Sequence, residues 1–279
     1  MSEEQCAHLY GQLLQYIGRL GSVVAAFSGG VDSTFLVRAV QDAGVDYLAV
    51  TALSPTMPEQ DRQDVARLVQ TLQLKHRFIE SGEMDDAQFV RNDFNRCYYC
   101  KSDLFIRLTE LARREGYAWV LDGSTVDDAG DYRPGMRARG EQGVESPLWA
   151  VGLGKEVVRE LARWKGLANW NKPASPCLSS RISYGEPILN QSLRMVEAAE
   201  GILRGLGLTT LRVRKQGETA RIELLPEDFP CLLQEEVRQR LTQEMLGLGF
   251  KYVTLDLEGF QSGKLNRVIP IAKQSAADQ

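Results

Sequence analysis

Two groups of residues in this chain have the types and spacing to do chemistry. The first is Ser28-Gly29-Gly30-Val31-Asp32-Ser33, which follows the apolar run Val23-Val24-Ala25-Ala26-Phe27 and precedes Thr34-Phe35-Leu36-Val37-Arg38-Ala39-Val40. A strand, a Gly-rich turn and a helix start aim several backbone N–H groups and a positive dipole end at one point, which suits an anion. Gly29 and Gly30 let the backbone approach a phosphate closely, and Ser28 and Ser33 add hydroxyl donors. The Gly-x-x-x-x-Gly-Lys-Ser/Thr pattern is absent, since Gly154-Lys155 runs into Glu156. The plainer alternative is an ordinary capped helix after a strand. The second group is Cys97-Tyr98-Tyr99-Cys100-Lys101 together with Cys177 in Ser175-Pro176-Cys177-Leu178-Ser179-Ser180-Arg181. A Cys-x-x-Cys is compatible with a redox pair, half a zinc site or two structural cysteines. A structural zinc wants four ligands, and neither His8 nor His76 lies near these cysteines in sequence. Three thiolates can hold a four-iron cluster with one iron open. Cys6 and Cys231 sit among apolar neighbours on expected helices and read as packing residues.

Around these groups the sequence alternates strand and helix signals. Helix is expected over about 4–20, strand over 22–27, helix over 33–43 and strand over 45–51. Pro58 opens a helix to about Leu72, strand follows over 75–80, then helices near 84–94 and 98–115, strand 119–121 and helix 155–165. This order predicts an α/β fold with a doubly wound parallel sheet. The Gly-, Arg- and Pro-rich segment from Ala129 to Pro147 reads as a long loop. A composition change at Gly185-Glu186-Pro187 suggests a nucleotide-binding domain over 1–185 and a smaller α+β domain over 186–279. In the latter, helix 190–205, strands 209–215 and 219–225, helix 233–247 and strand 251–257 are expected.

Composition narrows the class. With 279 residues and 43% hydrophobic content, the chain can bury one large core and a smaller one. No stretch approaches the ~18 apolar residues of a membrane span, and the acidic, polar start Met1–Gln5 is unlike a secretory signal. Five cysteines without a secreted-domain pattern argue against a disulfide framework. A cytoplasmic enzyme is expected. The net charge of −4 weighs against nucleic acid as partner, without excluding a local basic patch.

Ser-Gly-Gly-x-Asp-Ser resembles the PP-loop of the ATP pyrophosphatases, which split ATP between its α- and β-phosphates and activate a substrate as an adenylate. The whole chain is similar to the LarE family of ATP-dependent sulfur transferases. The likeness rests on Phe27–Ser33, Arg96–Lys101, Leu121-Asp122-Gly123-Ser124, Asp131–Ala138, Ser146-Pro147-Leu148 and Pro176–Ile182, in that order. It implies adenylation of a carboxylate of pyridinium-3,5-biscarboxylate mononucleotide, then displacement of AMP by sulfur to give a thiocarboxylate used in the nickel-pincer nucleotide. Two sulfur sources go with the family. One is a sacrificed cysteine at the position of Cys177, which becomes dehydroalanine. The other is a [4Fe-4S] cluster on three cysteines that carries an extra sulfide. This chain has all three, Cys97, Cys100 and Cys177, so it resembles the cluster-bearing branch, with sacrifice of Cys177 as the alternative. The resemblance also implies ATP held by Ser28, Gly29, Gly30 and Ser33, and Mg²⁺ with Asp32 as candidate ligand. Asp32 could equally be a helix cap. Ala52 and Gly123 would contact nucleotide by their position at the carboxyl edge of the sheet. Arg133, Arg137 and Arg181 are candidates for phosphate or carboxylate contacts, with surface salt bridges as the plainer role. Asp127 and Asp128 read either as metal ligands or as a solvated helix start.

In the smaller domain, a hairpin turning at Gln216-Gly217 would bury Leu211, Val213, Ala220, Ile222 and Leu224 on one face. Arg212, Arg214, Arg221 and Glu223 would share the other. That register sets Arg212 opposite Arg221, which calls for an anion or acid. The resemblance implies that Glu200, Arg212, Arg214 and Glu223, and more loosely Asp228, surround a substrate phosphate and metal at a homo-oligomer interface. A plain solvated strand face is the alternative. Gln261 stands where the family would have arginine. A cluster-dependent tRNA thiolase, an ammonia-using ligase and a non-catalytic nucleotide sensor remain open on the residues alone, and the sulfide donor is not identified.

Overall fold

Val23, Val24 and Ala25 are fully buried, the condition of an interior strand with both faces covered. The computed structural model describes residues 1–130 and 135–269. These divide into two compact units, the first made of Met1–Ser54, Glu59–Glu83 and Cys97–Ser175, the second of Pro55–Pro58, Met84–Arg96 and Pro176–Gln279. No helix among the described residues is long and apolar enough to cross a membrane.

In the first unit, α1 (Glu3–Gly18) leads to β1 (Ser22–Ala26), α2 (Val31–Asp42), β2 (Asp46–Leu53), α3 (Glu59–Thr71) and β3 (His76–Glu80). Further along come α5 (Arg96–Glu115), β4 (Trp119–Leu121), α6 (Gly135–Glu141), α7 (Pro147–Ala150) and α8 (Lys155–Trp164), while α4 (Ala87–Val90) belongs to the second unit. The four strands form a parallel sheet in the order β3-β2-β1-β4. Val24, Leu48, Val50 and Val120 pack against Phe105, Leu108, Leu111 and Ala112 of α5. Strand alternation sends Val23 and Ala25 to the opposite face, so the sheet is covered twice. The order reverses between β1 and β4, so the carboxyl ends of these two strands flank the crevice where open α/β sheets take ligands.

The segment expected as one long loop, 129–147, instead holds α6, and α7 begins at Pro147. Ala138 of α6 is fully buried, so Gly135–Glu141 earns its helix by packing that outweighs its Gly and Arg content. The expected helix 84–94 is shorter, a 3-10 turn at Glu83–Asp85 followed by α4 with Asp86 as its cap.

The second unit carries α9 (Asn190–Gly205), β5 (Leu211–Gln216), β6 (Thr219–Leu224), α10 (Phe229–Leu233), α11 (Glu235–Gly247) and β7 (Tyr252–Leu255). The expected helix 233–247 is broken at Gln234, whose extended backbone (ψ 134°) separates α10 from α11. β5 and β6 are antiparallel and β7 joins β6 in parallel. The composition change at Gly185–Pro187 lies inside this unit. There buried Asn92 donates to the carbonyls of Ser183 and Glu186 at 2.8 and 2.9 Å.

One half-buried titratable group props the strand that feeds the loop. His76 Nε2 lies 2.8 Å from Thr51 Oγ1, which itself donates to the Phe27 carbonyl at 2.5 Å. Burial pushes the His76 imidazole down to about 4. The folded chain therefore keeps this ring neutral, whereas the unfolded chain protonates it below about 6.5. The stability it contributes is complete above pH 6.5 and falls as pH drops toward 4. Thermal unfolding from pH 8 to 4 should show a steeper loss below 6.5 for the wild type than for His76→Gln; parallel curves would refute this.

Candidate active site

The turn after β1 is built by its backbone. Gly29 has φ +70°, and a Cβ there would lie 2.8 Å from Val65 Cγ2 of α3. No L side chain fits without strain. Ser28 N donates to Ser33 Oγ at 3.2 Å, and Ser33 Oγ donates to the Gly30 carbonyl at 3.2 Å, so the serines staple the turn to the first turn of α2. Gly30 caps α2, and Asp32 stands in its first turn, half-buried. The α2 N-terminus thus carries a carboxylate beside its backbone N–H groups.

Asn169, which the sequence analysis missed, also holds this turn. Its Nδ2 donates to the Gly29 carbonyl at 3.2 Å and to Thr34 Oγ1 at 3.0 Å. Because the peptide is planar and trans, fixing the Gly29 carbonyl toward Asn169 directs the Gly30 N–H to the other side. The residues after Asn169 are tied down as well. Arg159 donates to the Trp170 and Lys172 carbonyls at 3.2 and 2.9 Å. Lys172 pairs with Asp61 and Asp64, and Ser175 Oγ donates to Asp61 at 2.6 Å. Burial opposes the Lys172 charge, but the hydrogen bonds it donates to Asp64 and Asp61 prevail and raise its pKa. No single residue of 169–175 announces this role, because each bond crosses more than a hundred positions of chain except those from Arg159.

Gly123, at the carboxyl end of β4, packs directly on the start of α2. A Cβ there would meet Ser33 N at 3.1 Å and Asp32 C at 3.2 Å. Buried Asp122 accepts from Ser124 N and Oγ at 3.2 and 2.6 Å and from Ser146 Oγ. Lys101 Nζ lies 3.8 Å from it. Ala52 lies at the carboxyl end of β2 beside Ile79. The structure therefore gathers Ser28, Gly29, Gly30, Asp32, Ser33 and Gly123 at the strand-order reversal. Asp127 instead accepts from the Lys155 backbone N–H at the α8 start. Asp128 accepts from Thr125 N at 2.9 Å and pairs with Lys155 Nζ at 2.9 Å. Both therefore tie the 3-10 turn Val126–Gly130 to the start of α8. Arg133 lies outside the described residues. Arg137 stacks 3.8 Å above the Tyr98 ring and pairs with Glu141, which also accepts from Tyr98 Oη.

Cys97 and Cys100 lie three residues apart in the first turn of α5, on one helix face, the former exposed and the latter half-buried. Cys177, also exposed, belongs to the second unit. Among the described residues no three or more His, Cys, Asp or Glu side chains come together as a metal-holding group. Cys97 and Cys100 on one helix face would supply two of the three thiolates of the cluster expected from the resemblance.

In the second unit the hairpin turns at Gly217-Glu218, one residue later than expected. The buried face is as expected, but the pairing moves: Arg212 faces Glu223 and Arg214 faces Arg221. Glu223, fully buried, resolves that like-charge pair by accepting from Arg214 Nε at 3.0 Å and Arg221 at 2.9 Å. Glu200 of α9, also buried, takes both Nε and a terminal nitrogen of Arg181, at 2.8 and 3.0 Å, and accepts from Arg204 and Val213 N. Burial opposes the Glu200 charge; the Arg181 bonds prevail and hold its carboxyl below the usual range. Arg181 is therefore a buried partner of Glu200, not a surface salt bridge. Arg212 donates to the Leu211 carbonyl at 2.7 Å and stacks 5.2 Å from Phe260. Burial, then the charges of Arg181, Arg214 and Arg204, push its guanidinium down to about 10, so it stays cationic at neutral pH in a positive surrounding. Asp228 closes the 3-10 turn Pro226–Asp228. Gln261 accepts a hydrogen bond from Arg267.

No protein-family model matches the chain. An uncharacterized protein of Synechocystis is 43% identical over 92% of this chain and 96% of its own length. The pyridinium-3,5-bisthiocarboxylic acid mononucleotide synthase of Lactiplantibacillus plantarum is 38% identical over 91% of this chain and 92% of its own. An uncharacterized protein of Methanocaldococcus jannaschii is 28% identical over 86% and 91%.

Two glycines make the turn geometry testable without any assay of activity. Gly29→Ala should lower stability by about 1–2 kcal/mol from the left-handed backbone alone, and by more from Val65. Gly21→Ala serves as reference, because Gly21 has a similar φ of +76° but open space around its Cβ position. Thermal unfolding should rank wild type, Gly21→Ala and Gly29→Ala in falling order; equal midpoints for the two variants would contradict the close approach to Val65.

Proposed function

Because the chain belongs to the LarE family, that of the Lactiplantibacillus pyridinium-3,5-bisthiocarboxylic acid mononucleotide synthase, we propose that it is an ATP-dependent sulfur transferase acting on pyridinium-3,5-biscarboxylate mononucleotide. The observation that supports the adenylating step most strongly is the Gly29 turn, with Gly123 packed on it at the strand-order reversal. There the N–H groups at the α2 start would hold ATP phosphates, as helix N-termini do. Asp32 would share a Mg²⁺ with them, since that ion is commonly held by one or two carboxylates plus phosphate oxygens. The substrate carboxylate attacks the α-phosphorus, pyrophosphate leaves, and an acyl adenylate remains.

Sulfur then displaces AMP. In our reading the Cys177 thiolate attacks the acyl carbon and AMP departs, leaving a thioester. Breakage of the Cβ–S bond, with loss of the Cα proton, yields the thiocarboxylate and dehydroalanine at position 177. A second supply is favoured by one observation, the shared helix face of Cys97 and Cys100: with Cys177 they would ligate a [4Fe-4S] cluster, which would carry an extra sulfide and spare Cys177. The substrate phosphate is assigned to the arginine-rich face of the second unit. There Arg181 and Arg214 are buried on Glu200 and Glu223, and Arg204 and Arg221 stand on the rims of the same carboxylates. Arg212 is the phosphate contact we favour. A cytoplasmic homo-oligomer goes with this reading.

The test is anaerobic purification with iron and acid-labile sulfide measured in the wild type and in Cys97→Ala, Cys100→Ala and Cys177→Ala. Turnover with ATP and the mononucleotide is then followed by peptide mass spectrometry. Sacrifice of Cys177 gives loss of one H₂S at that residue and no iron requirement. Iron with matching sulfide, lost in each single variant, and an intact Cys177 after turnover would replace it with the cluster. Formation of thiocarboxylate by Cys177→Ala would overturn both.

A further inference from the structure

We propose that the buried pairs Arg181–Glu200 and Arg214–Glu223 are positioning residues that fix the turn carrying Cys177. The proposal rests on the reading above only in taking Cys177 as the sulfur-bearing residue.

The turn is short and several of its backbone groups are held. Cys177 precedes a 3-10 turn, Leu178–Arg181, and its carbonyl accepts from Ser180 N at 3.0 Å. Leu178 N donates to the Thr56 carbonyl at 2.7 Å. One terminal nitrogen of Arg181 donates to the Pro176 carbonyl at 2.6 Å, the Cys177 carbonyl at 3.2 Å and Ser180 Oγ at 3.1 Å. Its other two nitrogens are both bound to Glu200. Arg214 repeats the device: Nε is bound to Glu223, and one terminal nitrogen donates to the Ser180 carbonyl at 2.6 Å. The peptide groups before and after Cys177, and the one that ends its turn, are therefore held by two guanidinium forks, while the thiol itself stays exposed.

Two features make positioning the better account than ligand capture. Arg181 is 1% exposed and Glu223 0%, and five N–H donors per guanidinium leave Arg181 almost nothing to offer an incoming anion. A buried ion pair is also a poor way to gain stability, because desolvation offsets most of its attraction. A planar fork that bridges a carboxylate to backbone carbonyls does something an apolar pair cannot: it fixes where the carbonyls point. The carboxylates serve to keep each fork charged and oriented inside the protein. Thr56 reaches the same turn from the short segment Pro55–Pro58, which lies within this unit although 120 residues away in sequence.

The experiment uses full-length protein with Arg181→Met combined with Glu200→Gln, which removes the fork and its counter-charge together and keeps an acceptor for Val213 N. Arg181→Lys is run beside it, since lysine keeps the charge but cannot bridge. Iodoacetamide labelling, resolved by peptide, gives the rate at Cys177 relative to exposed Cys97 in the same chain. Thiocarboxylate formation and thermal midpoint are measured in parallel. The expected result is a Cys177/Cys97 labelling ratio altered at least about threefold and a single-turnover rate of thiocarboxylate formation lowered roughly tenfold or more. The mononucleotide concentration giving half the maximal rate should be unaltered, and the double variant should melt near the wild type. A labelling ratio equal to the wild type in both variants overturns the proposal. So does a raised half-maximal concentration with an unchanged ratio, which would make Arg181 a substrate contact. A wild type that forms no thiocarboxylate would sink the functional reading alone, because the labelling ratio still decides the clamp.

Discussion

Between β1, which ends at Ala26, and α2, which starts at Val31, the chain takes a left-handed backbone at Gly29, a conformation that costs any L side chain. At Gly29 that constraint is doubled, because the chain also passes against Val65 with no room for a side chain. Much of the first unit's carboxyl edge follows from it. The serines at 28 and 33 can meet across the turn only because it is tight, and Asn169 can reach the Gly29 carbonyl only because the peptide faces that way. Gly123 seals the other side by packing on the backbone of Asp32 and Ser33. The outcome is a fixed set of N–H groups at a helix N-terminus, which is the physical requirement for holding phosphate without reorganisation.

The second unit solves a different problem, that of keeping many guanidinium groups in a folded domain. Two buried glutamates do most of this work. Glu223 separates Arg214 from Arg221, and Glu200 holds Arg181 and Arg204. Removing one partner of such a pair leaves an uncompensated buried charge, so the network is retained or lost as a whole. The same forks reach the carbonyls around Cys177, which couples the electrostatics of this unit to the placement of the thiol. Arg212 differs in being pulled down to about 10 by burial and by its cationic neighbours, the condition under which an added anion gains most.

What could be read from the chain alone was whatever depends on neighbours in sequence. The turn at 28–33, the parallel α/β order, the buried faces of β5 and β6, and Cys97 and Cys100 on one helix turn all follow from local type and spacing. The hairpin register was missed by one residue because Gln216-Gly217 and Gly217-Glu218 are equally good turns locally. Its choice is made by Glu223 reaching both Arg214 and Arg221. Helix α6 was missed because the burial of Ala138, which the local Gly and Arg content does not reveal, stabilises it. Arg181 was read as a candidate anion contact because its type suits one; its burial, and its use of three backbone or hydroxyl acceptors beside Glu200, depend on folding across nineteen residues. Asn169 and Lys172 carry no local signal, since their partners lie far back in the chain.

The account stands or falls on how ATP is split. Phosphorus NMR of the protein with ATP, Mg²⁺ and pyridinium-3,5-biscarboxylate mononucleotide reads this directly. The account predicts AMP and pyrophosphate in equal amounts, formed only when the mononucleotide is present. Formation of ADP and inorganic phosphate, or equal cleavage without the mononucleotide, would contradict it.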